Sequence, residues 1–546
     1  MKLLDASLAR PPVHLWAADA LVCGVALALL AAVLLHLHAF DSGLTGSDEA
    51  SHFLNSYLIW SYLTQALGHN PLTYATDFYV HYPKISIGHW PPLYYVFLSV
   101  FFFVLPHTPW PFLLVNLVVG VLPVWLIARV VRQTAGWPWA LLAGCAFVLM
   151  PMSINNTTRL MLDQVLGGLC LLAALLWSRY TTQPSLQRGL AFAAVTAAAI
   201  LVKGNGWVLA LFPFIHIALT KRWNVLTNWR SYAAAAAVLA VVGAWTLVTY
   251  KISSDGFNYA WGWAYFSKSM PLFLQALYVN LGPVGTLAAL VGTVGSVLAT
   301  QNPVLREAGR TALALVLATV LFHALVPVDI DPRYMSSAMP SLTILMALGA
   351  WMLAQRLSRT LARQWWLPPI VLVLFAVPGA LFLRDRMPRY DLRMDQVATV
   401  IAAQPGSVVV VDGHSGTEGS LAVEVALRDP ARQDYVVRSS QLLTDSDFMG
   451  KSYALRVASP QAVLDMLDAI GSNIVVVAQG TEITPRFPHS DLLLAAMRLP
   501  TSQFKLVHTY PHLRAEGQTD VYLRSLPIRS QPEAVKRVSF AKKLPQ

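Results

Sequence analysis

Residues 46–53 read GSDEASHF, which places two carboxylates, Asp48 and Glu49, side by side between apolar runs. A carboxylate held at such a place can act as a general base, taking a proton from a hydroxyl or an amine. Ionisable residues recur in other interruptions of the apolar sequence: His52; His81, Lys84 and His89; Arg159 and Asp163; Lys203; Lys251 and Lys268; Asp329, Asp331, Arg333 and Tyr334. Such groups are costly near a bilayer and usually pair or serve a site. Fixed Arg and Lys side chains can hold a phosphate and stabilise charge on it as it departs. A base for an acceptor, cations for a leaving phosphate and a membrane setting together suit transfer of a sugar from a lipid-linked phosphate.

The elements that must position these residues are apolar helices. The chain has 546 residues, 56% hydrophobic and 12% charged, where a soluble protein carries about 25% charged residues. Apolar runs of spanning length lie at 17–38, 112–131, 138–153, 162–178, 188–203, 205–220, 232–250, 279–299, 311–327, 338–354 and 366–383. Alternate loops are basic: Arg129–Trp137, Arg179–Arg188, Lys221–Arg230, Gln301–Arg310 and Gln355–Arg363. By the positive-inside rule these face the cytoplasm, together with the amino terminus and its Lys2 and Arg10. The chemistry-bearing loops then share the outer face. The net charge of +11 is spent on topology, so no nucleic-acid partner is expected. PPLYYVFLSVFFFVLP, 91–106, is read as a re-entrant or interfacial helix, because a full span there would put every later basic loop outside. Cys23, Cys145 and Cys170 all sit in apolar runs and predict no disulfide framework. The first apolar run reads as a retained helix, not a cleaved signal.

Beyond Leu383 the composition shifts. SVVVVDG (407–413) and NIVVVAQG (473–480) read as buried strands, and SPQAVLDMLDAIG (459–471) reads as a helix with Ser459 as cap and Pro460 at its first position. FKLVHTY (504–510) and TDVYLRSL (519–526) read as further strands. The expected organisation is a mainly α, polytopic transmembrane bundle of about 11–13 spans over 1–383, a small extracytoplasmic α/β domain over 384–526, and a flexible basic tail over 527–546.

Five segments resemble membrane glycosyltransferases of the GT-C fold, in particular the protein O-mannosyltransferase and aminoarabinose-transferase group (glycosyltransferase family 39-like). They are GSDEASHF after the first span, HYPKISIGHWPPLYY (81–95), MPMSINNTTRLMLD (150–163), LVKGNGW (201–207) and DPRYMSSAMPSL (331–342), in the family's order. The resemblance covers roughly residues 15 to 380. It implies that Asp48 is the catalytic base and that Glu49 orients it or the acceptor. It implies that Lys84, Arg333 and Tyr334 meet the donor phosphate, and that Asp163, with Arg159, supports the first loop. In aminoarabinose-transferase relatives a Lys immediately precedes the Pro pair. Trp90 stands there in this chain, so His89 shares the phosphate role proposed for Lys84. The implied partners are a polyprenyl-phosphate-linked sugar, a lipid, glycan or protein acceptor, and the bilayer. The implied place is a bacterial inner or plasma membrane with the active site outside. Some relatives need a divalent metal and others do not, so no metal ligand is assigned.

Plainer readings accompany these. Asp48 and Glu49 suit the first turn of a helix capped by Ser47 and running to about Ala66. Arg159 and Asp163 are spaced for a helical ion pair. Arg333 can pair with Asp329 or Asp331, Lys203 beside Gly204 marks a helix end, and VDGHSGTEG (411–419) reads as a turn. The rival function is a transporter or flippase of lipid-linked glycans, which expects its polar groups near the midplane and matching halves.

Overall fold

A computed structural model describes residues 13–86, 88–254, 257, 259–299, 302–357, 364–445, 452–483 and 486–540. Lys2, Arg10, Gln301, the stretch 358–363 and the tail beyond 540 lie outside these residues. The chain forms two compact units: one of Met1–Leu35, Gly88–Tyr94 and Leu114–Met387, the other of His36–Ile87, Tyr95–Leu113 and Pro388–Gln546.

The first unit is helical. Its principal helices are Val13–His36, Leu122–Ala135, Trp137–Val148, Asp163–Thr182, Leu186–Val202, Val208–Thr220, Trp229–Ser254, Trp263–Leu298, Pro303–Leu325, Met339–Leu357 and Leu367–Arg384. Each apolar run of the sequence thus holds a helix. Among the described residues seven helices are long and apolar enough to cross a membrane. An eighth arises if Trp137–Val148 and Pro151–Thr157, bent by 64°, form one span. The count is lower than the expected 11–13 partly because Leu186–Val202 and Gly204–Thr220 are apolar but short, separated at Lys203. The protein is an integral, multi-pass membrane protein.

Small residues let these helices meet. A Cβ on Gly292 would collide with the Leu345 carbonyl, and one on Gly349 with the Ala288 carbonyl. The Trp263–Leu298 and Met339–Leu357 helices therefore cross backbone against backbone, as membrane helices do where glycines face each other. Trp263–Leu298 itself breaks at Gly282, whose φ of 65° precedes Pro283. The apolar segment expected to be re-entrant forms Leu93–Ser99 and a 3₁₀ turn Val100–Phe103, too short to cross a bilayer.

The second unit is built on five strands: β1 (Val408–Asp412), β2 (Tyr435–Arg438), β3 (Ile474–Gly480), β4 (Phe504–Pro511) and β5 (Gly517–Arg524). Their order is β2-β1-β3-β5-β4. β1 runs parallel to β2 and β3, with Val410 facing Val437 and Val475 across the ladders. Being central, β1 is buried along its whole length, which its valines permit. Ser459 accepts the Ala462 N–H and caps Pro460–Ile470, which ends at Gly471 in the left-handed region.

Most of the first loop, 39–111, belongs to this unit, which takes His36–Ile87 and Tyr95–Leu113, while Gly88–Tyr94 belongs to the helical unit. Ser47–Gln65 and Pro71–His81 are its helices. His81 Nδ1 lies 2.8 Å from the Asp434 carbonyl, and its ring stacks on Tyr435 at 4.1 Å. The Tyr82 hydroxyl donates to the Asp429 carboxylate at 2.9 Å. Within 527–546, expected to be a loose tail, Pro532–Phe540 is helical and buries Val535 in the α/β core.

Candidate functional site

The sequence-selected residues fall into two groups, one in each unit. In the second unit, Asp48 and Glu49 open the Ser47–Gln65 helix, but Gly46, not Ser47, is the N-cap. Glu49 Oε2 accepts the Gly46 N–H at 2.8 Å, satisfying one of the helix's orphan amides. The same oxygen is 2.9 Å from Arg389 Nη2. Glu49 is 0% exposed and Arg389 7%. Arg389 Nη2 also reaches the Gly43 carbonyl at 3.0 Å, and its backbone N–H donates to the Leu37 carbonyl at 2.8 Å. Arg514 continues the clamp, donating to the carbonyls of Arg389 at 2.7 Å and Asp41 at 3.0 Å. Glu49 is therefore enclosed and holds the loop, whereas Asp48 is partly exposed.

Lys84 is buried, and its Nζ donates to the Ser415 carbonyl at 2.8 Å. Burial pulls its pKa down to about 8, helped by Arg438 and opposed by Glu418 and Asp48. Lys84 touches the start of the Ser415–Arg428 helix: a Cβ on Gly419 would come within 2.9 Å of Lys84 Cε and 2.7 Å of Ala50 Cβ. His52 Nδ1 is 2.9 Å from the Tyr95 hydroxyl.

In the helical unit the other four motifs are tied to one another. Tyr94, at the end of the Trp-Pro-Pro segment, donates to Asn116 Oδ1 at 2.6 Å, and Asn116 Nδ2 donates to the Arg159 carbonyl at 3.2 Å. Asn156 Nδ2 donates to Ser336 Oγ at 2.9 Å, and that hydroxyl donates to the Arg333 carbonyl at 2.6 Å. Lys203 Nζ donates to Asp163 Oδ1 at 2.7 Å, both side chains being buried. Tyr334 is buried and stacks on His323 with ring centres 5.1 Å apart, and burial raises its hydroxyl pKa.

The structure therefore pairs Asp163 with Lys203, where the spacing suggested Arg159. The reason is local: Pro151–Thr157 ends before Arg159 and a new helix begins at Asp163, so no continuous helix presents the two on one face. Arg333 Nε lies 2.7 Å from Asp331 Oδ2 while Asp331 Oδ1 caps the Arg333 N–H, so the plainer reading of Arg333 is present as geometry. His89 is partly exposed, its ring edge-on to Trp90 at 5.6 Å. Arg389, Arg514 and His323 carried no local signal and escaped the sequence reading. Among the described residues no three His, Cys, Asp or Glu side chains converge as a metal ion held by protein alone would require.

Residues 89–247 match the family model described as dolichyl-phosphate-mannose-protein mannosyltransferase. The chain is similar in structure to ArnT from Cupriavidus metallidurans bound to undecaprenyl phosphate, with a TM-score of 0.56 at 15% identity over 93% of this chain and 98% of that one. The fold is that of a GT-C membrane glycosyltransferase. The apo state of the same ArnT gives a TM-score of 0.56 at 14% identity, over 90% of this chain and 97% of that one. An oligosaccharyltransferase from Archaeoglobus fulgidus, tethered with an acceptor peptide, aligns at a TM-score of 0.47 and 10% identity over 89% of this chain and 72% of that one. No protein of curated function matches the chain by sequence. The family match takes in residues 89–95 of the second motif and all of the third and fourth, and DPRYMSSAMPSL lies beyond it.

Proposed function

We propose that the chain moves a sugar from a polyprenyl-phosphate donor to an acceptor at the extracytoplasmic face, with inversion. Asp48 takes the proton of the acceptor hydroxyl or amine. The freed electron pair attacks the anomeric carbon, the bond from that carbon to the phosphate oxygen breaks, and polyprenyl phosphate leaves. Arg333, Tyr334 and a basic partner, Lys84 or His89, steady the leaving phosphate. Glu49 acts through the loop it holds, and Asp163 and Arg159 support the site. The observation that carries this reading is the linkage of motif segments scattered from residue 94 to residue 336 by the Tyr94–Asn116–Arg159, Asn156–Ser336 and Asp163–Lys203 bonds.

The test is to incubate the purified protein with polyprenyl-phosphate sugars and a membrane extract as acceptor source. Release of polyprenyl phosphate, with a product of inverted anomeric configuration, is expected. A product of retained configuration contradicts the single displacement. Movement of lipid-linked sugar across proteoliposomes with no polyprenyl phosphate released contradicts the enzyme and supports the transporter.

A further inference from the structure

Among the described residues, the ends of the helices that carry the basic loops hold Arg129, which is buried, several half-buried arginines including Arg132, Arg179, Arg222 and Arg310, and two buried acids, Asp19 and Glu307. Asp19 is buried and taken by Arg132, at 3.0 Å to Nε and 3.1 Å to Nη2. Glu307 is taken by Arg222 through two contacts of 2.7 Å, with the Ser178 hydroxyl donating to it as well. Both acids are therefore committed. Arg129 is 7% exposed, and its Nε has no hydrogen-bond partner among the described residues. Its guanidinium lies over the rings of Trp125 at 5.3 Å and Trp16 at 5.9 Å. Ring faces attract a cation but accept no hydrogen bond from it in the plane of the fork. A buried charge without a hydrogen-bonded counter-charge is costly.

Arg129 also lines a cavity of about 60 Å³ between the Leu122–Ala135, Asp163–Thr182 and Pro303–Leu325 helices. The cavity has polar lining from Gln133, Arg179 and Glu307, the last already neutralised by Arg222, and apolar walls that include Val130, Leu172 and Leu176. A cation at one end and aliphatic walls along the rest match an amphipathic anion. Basic pockets between membrane helices bind anionic head groups.

We propose that Arg129 binds the phosphate of an anionic membrane phospholipid whose acyl chain lies along the Leu172–Leu176 wall. The site is separate from the residues assigned to sugar transfer. It gives a hydrogen-bonding counter-charge to Arg129, which among the described residues is ion-paired with neither Asp19 nor Glu307.

The test titrates delipidated full-length protein in neutral detergent with phosphatidylglycerol, phosphatidylcholine and inorganic phosphate, following the thermal midpoint and lipid adducts by native mass spectrometry. Phosphatidylglycerol is expected to raise the midpoint and remain bound. Arg129→Gln should weaken its binding at least about tenfold, the loss of a charge-assisted hydrogen bond. Leu176→Trp, which fills the apolar wall and keeps the charge, should weaken it as well. Should Arg129→Gln not fold, Arg129→Lys replaces it: loss of the planar fork should still reduce binding. Equal binding of phosphatidylglycerol by wild type and the Arg129 variant overturns the proposal. So does stabilisation by inorganic phosphate or phosphatidylcholine equal to that by phosphatidylglycerol.

Discussion

Replacing Arg389 with Met removes the partner of a carboxylate that has no route to water. Glu49 is wholly buried, and the substitution removes its 2.9 Å contact to Arg389 while leaving the Gly46 amide at 2.8 Å. Breaking a buried pair from one side costs about 3–5 kcal/mol, because a charge is left uncompensated. Removing both charges costs far less, since the pair's own desolvation disappears with it. Arg389→Met should therefore destabilise strongly, Glu49→Gln should do so too, and the double variant should recover much of the loss. The coupling between them should exceed about 1 kcal/mol. Activity should follow, because the Arg389 side chain, through the Gly43 carbonyl and Glu49, fixes where the helix bearing Asp48 begins. Displacing a reacting group by about 1 Å costs on the order of 10²-fold in rate. The assay is a double-mutant cycle on the full chain, with unfolding read by tryptophan fluorescence and turnover read in parallel. The pH profile of kcat should keep its shape while its height falls, since Asp48 itself is unchanged. Additive single effects in stability, within about 0.5 kcal/mol, would refute the reasoning.

Other consequences are equally open to measurement. Lys203→Met leaves buried Asp163 unpaired and should cost about 3–5 kcal/mol, whereas Arg159→Met should cost less than about 1 kcal/mol; equal melting of the two variants contradicts the assignment. Gly349→Ala drives a methyl into the Ala288 carbonyl and should cost at least about 1–3 kcal/mol, seen as a lower midpoint in detergent. Burial raises Asp412, at the end of β1, to about 6, against about 3.9 in an unfolded chain. Between those values the folded state holds a proton that the unfolded state does not. The stability this supplies is complete below about pH 4 and lost as pH rises through about 6, up to about 3 kcal/mol. Asp412→Asn has no such loss, so its midpoint should gain on the wild type from pH 4 to pH 7; parallel curves contradict this.

The positions of the helices are legible because a bilayer leaves no alternative to apolar runs with internally paired backbone. Their status as spans is less so, since Leu186–Val202 and Gly204–Thr220 are cut short at Lys203, whose backbone is extended and whose side chain reaches Asp163. The valine-rich strands and the Ser459 cap are local signals and appear where the pattern puts them. Pairings across the chain are not legible. Glu49 and Arg389 lie 340 positions apart, and nothing at either place names the other. The adjacency of Asp48 and Glu49 shows that a pair of carboxylates is present, but only tertiary structure separates the enclosed one from the partly exposed one. Arg159 and Asp163 show the converse failure, a local spacing made irrelevant by a helix break between them.

The central claim is that Asp48 is the base, and the direct measurement is transfer of label from a radiolabelled polyprenyl phosphate sugar by purified Asp48→Asn, with donor binding followed alongside. The account predicts that the variant binds donor as the wild type does and transfers label about 10²–10⁴-fold more slowly. Transfer at the wild-type rate would contradict it and leave Asp48 as a first-turn residue of the Ser47–Gln65 helix.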